Sequence, residues 1–469
     1  MDIKWTCDSD LRPFVRGNVI LPQDSAYDAT RAVWNSMIDR RPLAIVRCAD
    51  TADVMAALRF ARDHAMSVSV RGGGHNVAGS AVCDDGLMID LSLMRAVIVD
   101  PDRRVAIVQG GATLGDLDHA TQAFGLATPG GVVSTTGVGG LTLGGGFGWL
   151  SRKHGLAVDN LISVGVVTAD GSYRRASDDE NPDLFWAVRG GGGNFGVAVA
   201  LEFKLHPVGP DVLFGPTLWR IDEAAAVLRR YRDFARAAPR ECSVWADLLT
   251  APPLPILPQR FHGTKVLSLM QCHVGPPTEG ERVLAPLRTF GEPIGDGVAM
   301  RPYAGAQAFL DSAYDRGARN YWSTMNAADL ADPLPELLVE LAATMPSAES
   351  DILVSLLGGA IADVPADSTA YPHRDSMFAI TPGARWRDAQ DDEACLAWIR
   401  SAADALAPLG NDLAYVNFVS EAAGRERAAY GANYRRLAAI KAEYDPENRF
   451  RWGQNIRPGQ MWGDADVPA

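Results

Sequence analysis

The chain carries few cysteines, no long apolar run and no excess of positive charge, and each lack removes a class of protein. Its six cysteines, Cys7, Cys48, Cys83, Cys242, Cys272 and Cys395, are scattered over 469 residues with no Cys-x-x-Cys pair and no histidine cluster beside them. That pattern excludes the disulfide framework of small secreted domains and supplies no zinc ligand set. The cysteines read as buried thiols, and no metal site is expected. No segment reaches the about 20 apolar residues that a membrane-spanning helix needs. Met1-Asp2-Ile3-Lys4-Trp5 has no signal-peptide core, so a cytoplasmic location is expected. A formal net charge of −13 argues against nucleic acid or an anionic membrane as partner. What remains is a globular chain long enough for two or three packed domains.

Glycine, by contrast, is plentiful and unevenly placed, with three rich stretches in the first 200 residues. In the first, Val68-Ser69-Val70-Arg71 alternates like a strand and runs into Gly72-Gly73-Gly74-His75-Asn76. Without Cβ atoms, successive N–H groups can converge on one point and form a nest for an anion the size of a phosphate. His75 adds a nucleophilic ring nitrogen at the edge of that nest. The second stretch runs over residues 129–149 and the third over 189–196. Residues 191–196 also match G-x-G-x-x-G, the dinucleotide fingerprint. That motif needs a strand before it and a helix after it, whereas here a helical segment (184–188) precedes and an alternating strand (197–205) follows. A nicotinamide-binding reading is therefore set aside.

Elsewhere, periodicity predicts a helix over 51–66, strands over 67–70, 87–93 and 105–108, and a helix over 114–124 ended by Gly125. Past residue 208 the texture changes. Pro207, Pro210 and Pro216 punctuate the chain, glycine thins out, and helical segments (223–238, 332–345) alternate with possible strands (243–249, 265–274, 352–357). The end of the chain holds Tyr415-Val416-Asn417-Phe418, a helix over 433–443 and Gln454-Asn455-Ile456. The charges Arg435, Arg436, Lys441 and Glu443 read as a solvated helix face, and His64 and His119 as surface residues.

Taken in order, residues 71–76, 131–141 with 144–148, 184–196, 415–418 and 433–450 resemble the berberine-bridge-enzyme-like branch of the vanillyl-alcohol-oxidase, PCMH-type flavoprotein superfamily. Residues 319–322 and 369–374 carry the same likeness. The resemblance implies an α+β fold. Residues 1–208 and 405–469 would form a two-subdomain FAD-binding domain, and 209–404 a substrate domain with an antiparallel sheet. It implies FAD bonded through His75 to the flavin 8α-methyl; the plainer alternative is a dissociable FAD that His75 only hydrogen-bonds. Val133 stands where bicovalent members have a cysteine, so no second cysteinyl bond is expected, with a lean toward a smaller or more enclosed substrate.

By the same resemblance, the FAD contacts are Arg71, Gly72, Gly73, Gly74, Asn76, Gly79 and Ser80, then Thr136, Gly137, Gly139, Gly140, Thr142 and Gly146. Gly196 and Val197 would meet the adenine end, and Asn417 and Asn455 would complete the set. Trp186 and Phe195 read as core. Thr136 would sit beside flavin C4a and N5 and control oxygen access, or else cap a turn. Tyr415 is the first candidate to take the substrate proton, with Asn417 orienting flavin or substrate; Tyr321, Tyr371 and His373 are secondary. A free tyrosine, with a pKa of about 10, needs a cation or the bound flavin to act as a base. Phe418 stands where many relatives have a second tyrosine. The implied activity is an FAD-dependent oxidase acting on a CH–OH or CH–NH group of a small molecule, with O2 reoxidising the flavin to give H2O2. A dehydrogenase with another acceptor, or a flavin-bearing binding protein with little turnover, are the alternatives. Sugar, alkaloid-like amine and polyketide alcohol all remain open as substrates.

Overall fold

The computed structural model describes residues 11–411, 414–421 and 429–459, so Cys7 and the opening residues lie outside it. Three large sheets, with a two-stranded one between Leu126–Ala127 and His206–Pro207, organise the described residues. In the first, the strands Asn18–Ile20, Ala44–Arg47, Leu87–Asp90 and Val68–Arg71 lie in that order, the last three parallel. Leu87–Asp90 is buried along its whole length, as a parallel strand covered by a helix should be. The helix is Thr51–Asp63, which buries Val54, Ala57, Leu58 and Ala61 and is capped by the Asp50 carboxylate accepting from Asp53 N at 3.1 Å.

The second sheet is antiparallel, with the strands Val97–Asp100, Val105–Gln109, Val197–Lys204, Leu161–Val167 and Tyr173–Ser177 in that order. Its helix Leu114–Gln122 starts at a Thr113/Asp116 capping box, and Gly125 turns the chain at φ +64°. The third glycine stretch follows the helix Pro182–Val188 and precedes the central strand Val197–Lys204. Trp186 and Phe195 are buried in that core.

Between Asp211 and Trp386 a nine-stranded antiparallel sheet takes over, with Cys242–Thr250, Asp351–Leu356 and Phe378–Trp386 adjacent near its middle. The helices Ala224–Ala237, Leu334–Ala343 and Asp392–Leu406 pack on this sheet. From the sheet, Trp245 reaches the second glycine stretch and meets Phe147 and Trp149, ring centroids 5.9 and 4.7 Å away. The fold is thus α+β. Among the described residues, five free cysteines are all buried, and no helix is long and apolar enough to cross a membrane.

The last segment returns to the second sheet, where Leu437 and Ala438 of the helix Tyr434–Tyr444 join Phe185 and Phe195. Here one expectation is corrected. Lys441 does not belong to a solvated face: it is fully buried, donating to Asp445 Oδ2 at 2.6 Å, Asn194 O at 2.7 Å and Phe450 O at 2.9 Å. Charge spacing alone cannot distinguish a solvated i,i+4 pair from a buried one. Burial draws the ammonium pKa down to about 8, against the pull of Asp445. Removing one partner of such a pair leaves the other as an uncompensated buried charge, at a cost of about 3–5 kcal/mol. Lys441→Ala is therefore expected to lower the thermal midpoint by several degrees, and the paired change Lys441→Met with Asp445→Leu gives no recovery, because Asp445 also accepts from Arg449 N and Phe450 N, both at 2.9 Å, and these buried donors lose their partner. Thermal unfolding of the three proteins checks this.

Candidate active site

One cavity lies between the glycine loops and the nine-stranded sheet, and its geometry begins at Arg71. At the end of its strand, Arg71 turns back to Asp90, with Nε–Oδ1 at 3.0 Å and Nη2–Oδ2 at 2.5 Å, and also donates to the Thr30 carbonyl. It is buried in that pair rather than facing the cavity, which corrects its expected role as a cofactor contact. The strand gives way directly to the first glycine loop, which crosses the second. A Cβ on Gly73 would lie 2.3 Å from Gly137 N, and one on Gly137 only 2.2 Å from Gly73 N, so the two backbones touch where no side chain fits. Asp311 pins the second loop by accepting from Ser134 N at 2.7 Å and Ser134 Oγ at 2.5 Å.

Of the residues expected at the cofactor, Gly72, Gly73, Gly74, His75, Asn76, Ser80, Thr136, Gly137, Gly139, Gly140, Gly196 and Asn417 all line this cavity, as does Val133. Gly79, Thr142, Gly146, Val197 and Asn455 join Arg71 in not lining it. Gly79 serves a turn at φ +71°, its carbonyl accepting from Arg40 Nη1 at 2.7 Å. Thr142 is buried within the helix Val138–Leu143, and Val197 puts its side chain in the core. Among the described residues, Thr142 Oγ1 and Asn455 Oδ1 have no hydrogen-bond partner.

Gly146 has a different task. The run 144–146 makes room for aromatic and amide side chains: a Cβ on Gly144 would lie 2.3 Å from Asn417 Oδ1, and one on Gly145 2.7 Å from Tyr371 Cδ2. Gly146 N then donates to Tyr415 Oη at 3.0 Å, and Asn417 Nδ2 donates to the same oxygen at 2.7 Å and to Leu141 O at 3.0 Å. Both acceptor sites of the Tyr415 oxygen are filled, so its O–H hydrogen is left for a ligand. Burial pushes the phenol pKa up to about 12, with the Asn417 and Gly146 bonds opposing, so Tyr415 is protonated at neutral pH.

His75 follows the loop crossing at Gly73 by two residues. Its ring stacks on Trp34 with centroids 5.0 Å apart, and Nε2 is 2.7 Å from Thr135 Oγ1. Desolvation, with Arg316 and Arg385 adding to it, lowers its pKa to about 3 and keeps the imidazole neutral. Tyr321 is corrected: on the strand Arg319–Trp322, Trp322 lines the cavity, while the Tyr321 hydroxyl donates to Glu421 outside it. Tyr371 and His373 are buried nearby and do not line the cavity.

Sequence reasoning missed Trp34, Gly110, Tyr314, Asp351, Leu353, Thr381 and Gly383, all on the cavity wall. The Gly110-Gly111 pair was readable: a Cβ on Gly110 would lie 2.1 Å from Ala198 O. The alternation of 351 with 353 and of 381 with 383 marks a shared face, but nothing local says which face turns inward.

Comparison with known proteins decides the family. Residues 42–177 match the FAD binding domain family, and residues 414–457 match the family described as berberine and berberine like. The chain is 34% identical over 463 residues to (R)-6-hydroxynicotine oxidase of Paenarthrobacter nicotinovorans, covering 95% of this chain and 97% of that one. The chain belongs to the berberine-bridge-enzyme-like family of FAD-linked oxidoreductases. It is also similar to glucooligosaccharide oxidase of Sarocladium strictum, at 30% identity over 92% of this chain and 90% of the relative. The crystal structure of 6-hydroxy-D-nicotine oxidase from Arthrobacter nicotinovorans superposes with a TM-score of 0.86 at 31% identity, covering 95% and 98% of the two chains. The fold is accordingly the PCMH-type FAD-binding fold with an α+β substrate domain, and the protein is an FAD-dependent oxidoreductase.

The cavity accommodates FAD on its own terms. Gly140 and Gly193 face open space, with nothing within 4 Å of an added Cβ, and the buried Trp452 Nε1 and Gln454 Oε1 on the wall have no partner among the described residues. Gly137→Ala is expected to force the loops apart and yield protein with most of its flavin missing. Gly305→Ala, where a Cβ meets nothing within 4 Å, should keep the wild-type ratio. The absorbance ratio near 450 and 280 nm of the purified proteins measures both.

Proposed function

We propose that this FAD-dependent oxidoreductase is an oxidase that holds its flavin by a single covalent bond to His75 and oxidises a CH–NH or CH–OH group of a small organic molecule, with O2 as acceptor. The observation that carries the reading is an imidazole fixed by Trp34 and Thr135 at the edge of the crossing glycine loops, in surroundings that lower its pKa. A neutral ring keeps a nitrogen lone pair available for bond formation, and Val133 offers no second nucleophile from the facing loop. Relatives named as 6-hydroxynicotine and glucooligosaccharide oxidases support both the oxidase activity and the choice between amine and alcohol.

When bound, FAD supplies a two-electron acceptor for the substrate's hydride. The chain's residues do the rest. Tyr415, its oxygen filled by two donors, presents an O–H to substrate or flavin and orients rather than abstracts while its pKa stays near 12. Asn417 fixes that tyrosine, and Thr136 lines the cavity where oxygen access would be set. In this reading residues 1–208 and 405–469 form the cofactor domain and 209–404 the substrate domain, a division supported by the cavity's place between their sheets.

Acid-precipitated, washed wild-type protein should stay yellow and carry the added mass of FAD, and His75→Ala should lose both. A colourless pellet with flavin in the supernatant would overturn the covalent bond and leave a dissociable FAD. Because the imidazole is neutral above about pH 3, attachment of FAD to apoprotein should run at similar rates at pH 6 and pH 8. A steep loss below pH 6.5 would contradict that electrostatic account. Stopped-flow reoxidation of the reduced protein in air is expected to be fast, and slow reoxidation would point to a dehydrogenase instead.

A further inference from the structure

We propose that the substrate carries a protonated amine and that Asp351, on the nine-stranded-sheet side of the cavity, is its counter-ion. The inference deepens the oxidase reading and rests on it only in taking this cavity as the place where substrate binds.

Asp351 opens the strand Asp351–Leu356, paired with Leu249 on one side and Gly383 on the other. The missing side chain of Gly383 makes its place: a Cβ there would lie 2.7 Å from Asp351 Oδ1 and 3.3 Å from Trp322 Cδ1, so carboxylate and indole meet over the glycine. Tyr314 Oη donates to Asp351 Oδ2 at 2.5 Å and fixes the carboxylate. Asp247 pairs with Leu353 on the neighbouring strand and is therefore a diagonal neighbour on the same face, with its Oδ1 unpartnered among the described residues.

Two carboxylates on one largely apolar face need a cation or a shared proton. Three groups act on Asp351: Asp247, Tyr314 and Arg385. Arg385 is already engaged, donating to Glu349 Oε2 at 3.1 Å, Asn320 Oδ1 at 3.2 Å and Asp315 O at 2.8 Å. With no further cation supplied, burial raises Asp351 to about 6 and Asp247 well above the usual carboxylate range. An ammonium placed here would take over the role of the proton that the pair otherwise retains.

The surrounding wall favours the same ligand. Trp322 makes an edge contact with Phe418 at 5.7 Å, centroid to centroid, giving aromatic surface that attracts a cation beside the carboxylate. Independently of the acids, Trp245 is 1% exposed, lines the cavity and has an indole N–H without a partner among the described residues. That unfilled donor calls for an acceptor on the ligand, such as a hydroxyl or carbonyl oxygen or a ring nitrogen. Around these groups the cavity face offers Leu353, Gly383 and Thr381, whose hydroxyl already donates to Thr324 Oγ1 at 3.1 Å.

The test uses holoenzyme and two probes of similar size, the permanent cation N-benzyl-N-methylpyrrolidinium and the neutral amide N-benzoylpyrrolidine, with dissociation constants read from tryptophan fluorescence. The wild type should bind the cation at least tenfold more tightly than the amide. Asp351→Asn should weaken the cation at least tenfold and the amide less than twofold, and Asp351→Glu should restore part of the preference. Tyr314→Phe, a smaller disturbance to packing, should weaken the cation several-fold. Equal affinities in the wild type, no measurable binding of the cation, or a preference that survives Asp351→Asn would overturn the proposal. Flavin content of the same preparations separates the two readings. Yellow protein without a cation preference rejects only the amine, whereas colourless protein that keeps the preference rejects the flavin oxidase alone.

Discussion

The crossing of two backbones at Gly73 and Gly137 is the constraint from which the site follows. Side chains on either residue would hold the loops apart by more than the space available. Contact brings the ends of two separate structures together: the parallel strand that finishes at Arg71, and the segment that leads into the helix Val138–Leu143. His75 lies just past the crossing on one loop and Thr135 just before it on the other, which puts ring nitrogen and hydroxyl 2.7 Å apart. The Arg71–Asp90 pair fixes the first loop from behind, and Asp311 fixes the second from the substrate side.

Glycine in this chain does two different jobs that look alike as strings. At 72–74 and 137–140 it lines a cavity and lets backbone approach a ligand. At 144–146 it accommodates Tyr371, Tyr415 and Asn417, which arrive from far along the chain. The second job is what joins the C-terminal segment to the site, with the buried Lys441–Asp445 pair anchoring that segment to Asn194 in the third glycine stretch. Charge follows the same division. Burial, with Arg316 and Arg385 adding to it, keeps His75 neutral, whereas burial on the nine-stranded sheet raises Asp351 and Asp247.

The order of motifs makes the fold class and the three glycine loops legible in the sequence, and many residues of those loops line the cavity. Two of the errors share a cause. Arg71 sits within the motif but points to Asp90, because alternation along a strand sends neighbours to opposite faces. Tyr321 fails for the same reason, one residue from Trp322, which lies on the cavity wall. Lys441 carries a charge and a helical i,i+4 partner, yet burial depends on what lies above that helix, and no local pattern records it. Asp351, Tyr314 and Gly383 come from separate strands and a loop, and only the sheet register brings them together.

The central claim is that a flavin is bonded to His75 at the edge of the crossed loops. Peptide mapping tests it most directly: trypsin should release residues 72–95 as one fragment, since Arg71 and Arg95 bound it. The account predicts that this fragment carries the mass of FAD, with fragmentation placing it on His75. An unmodified fragment from yellow protein, or the flavin mass on any other residue, would contradict it.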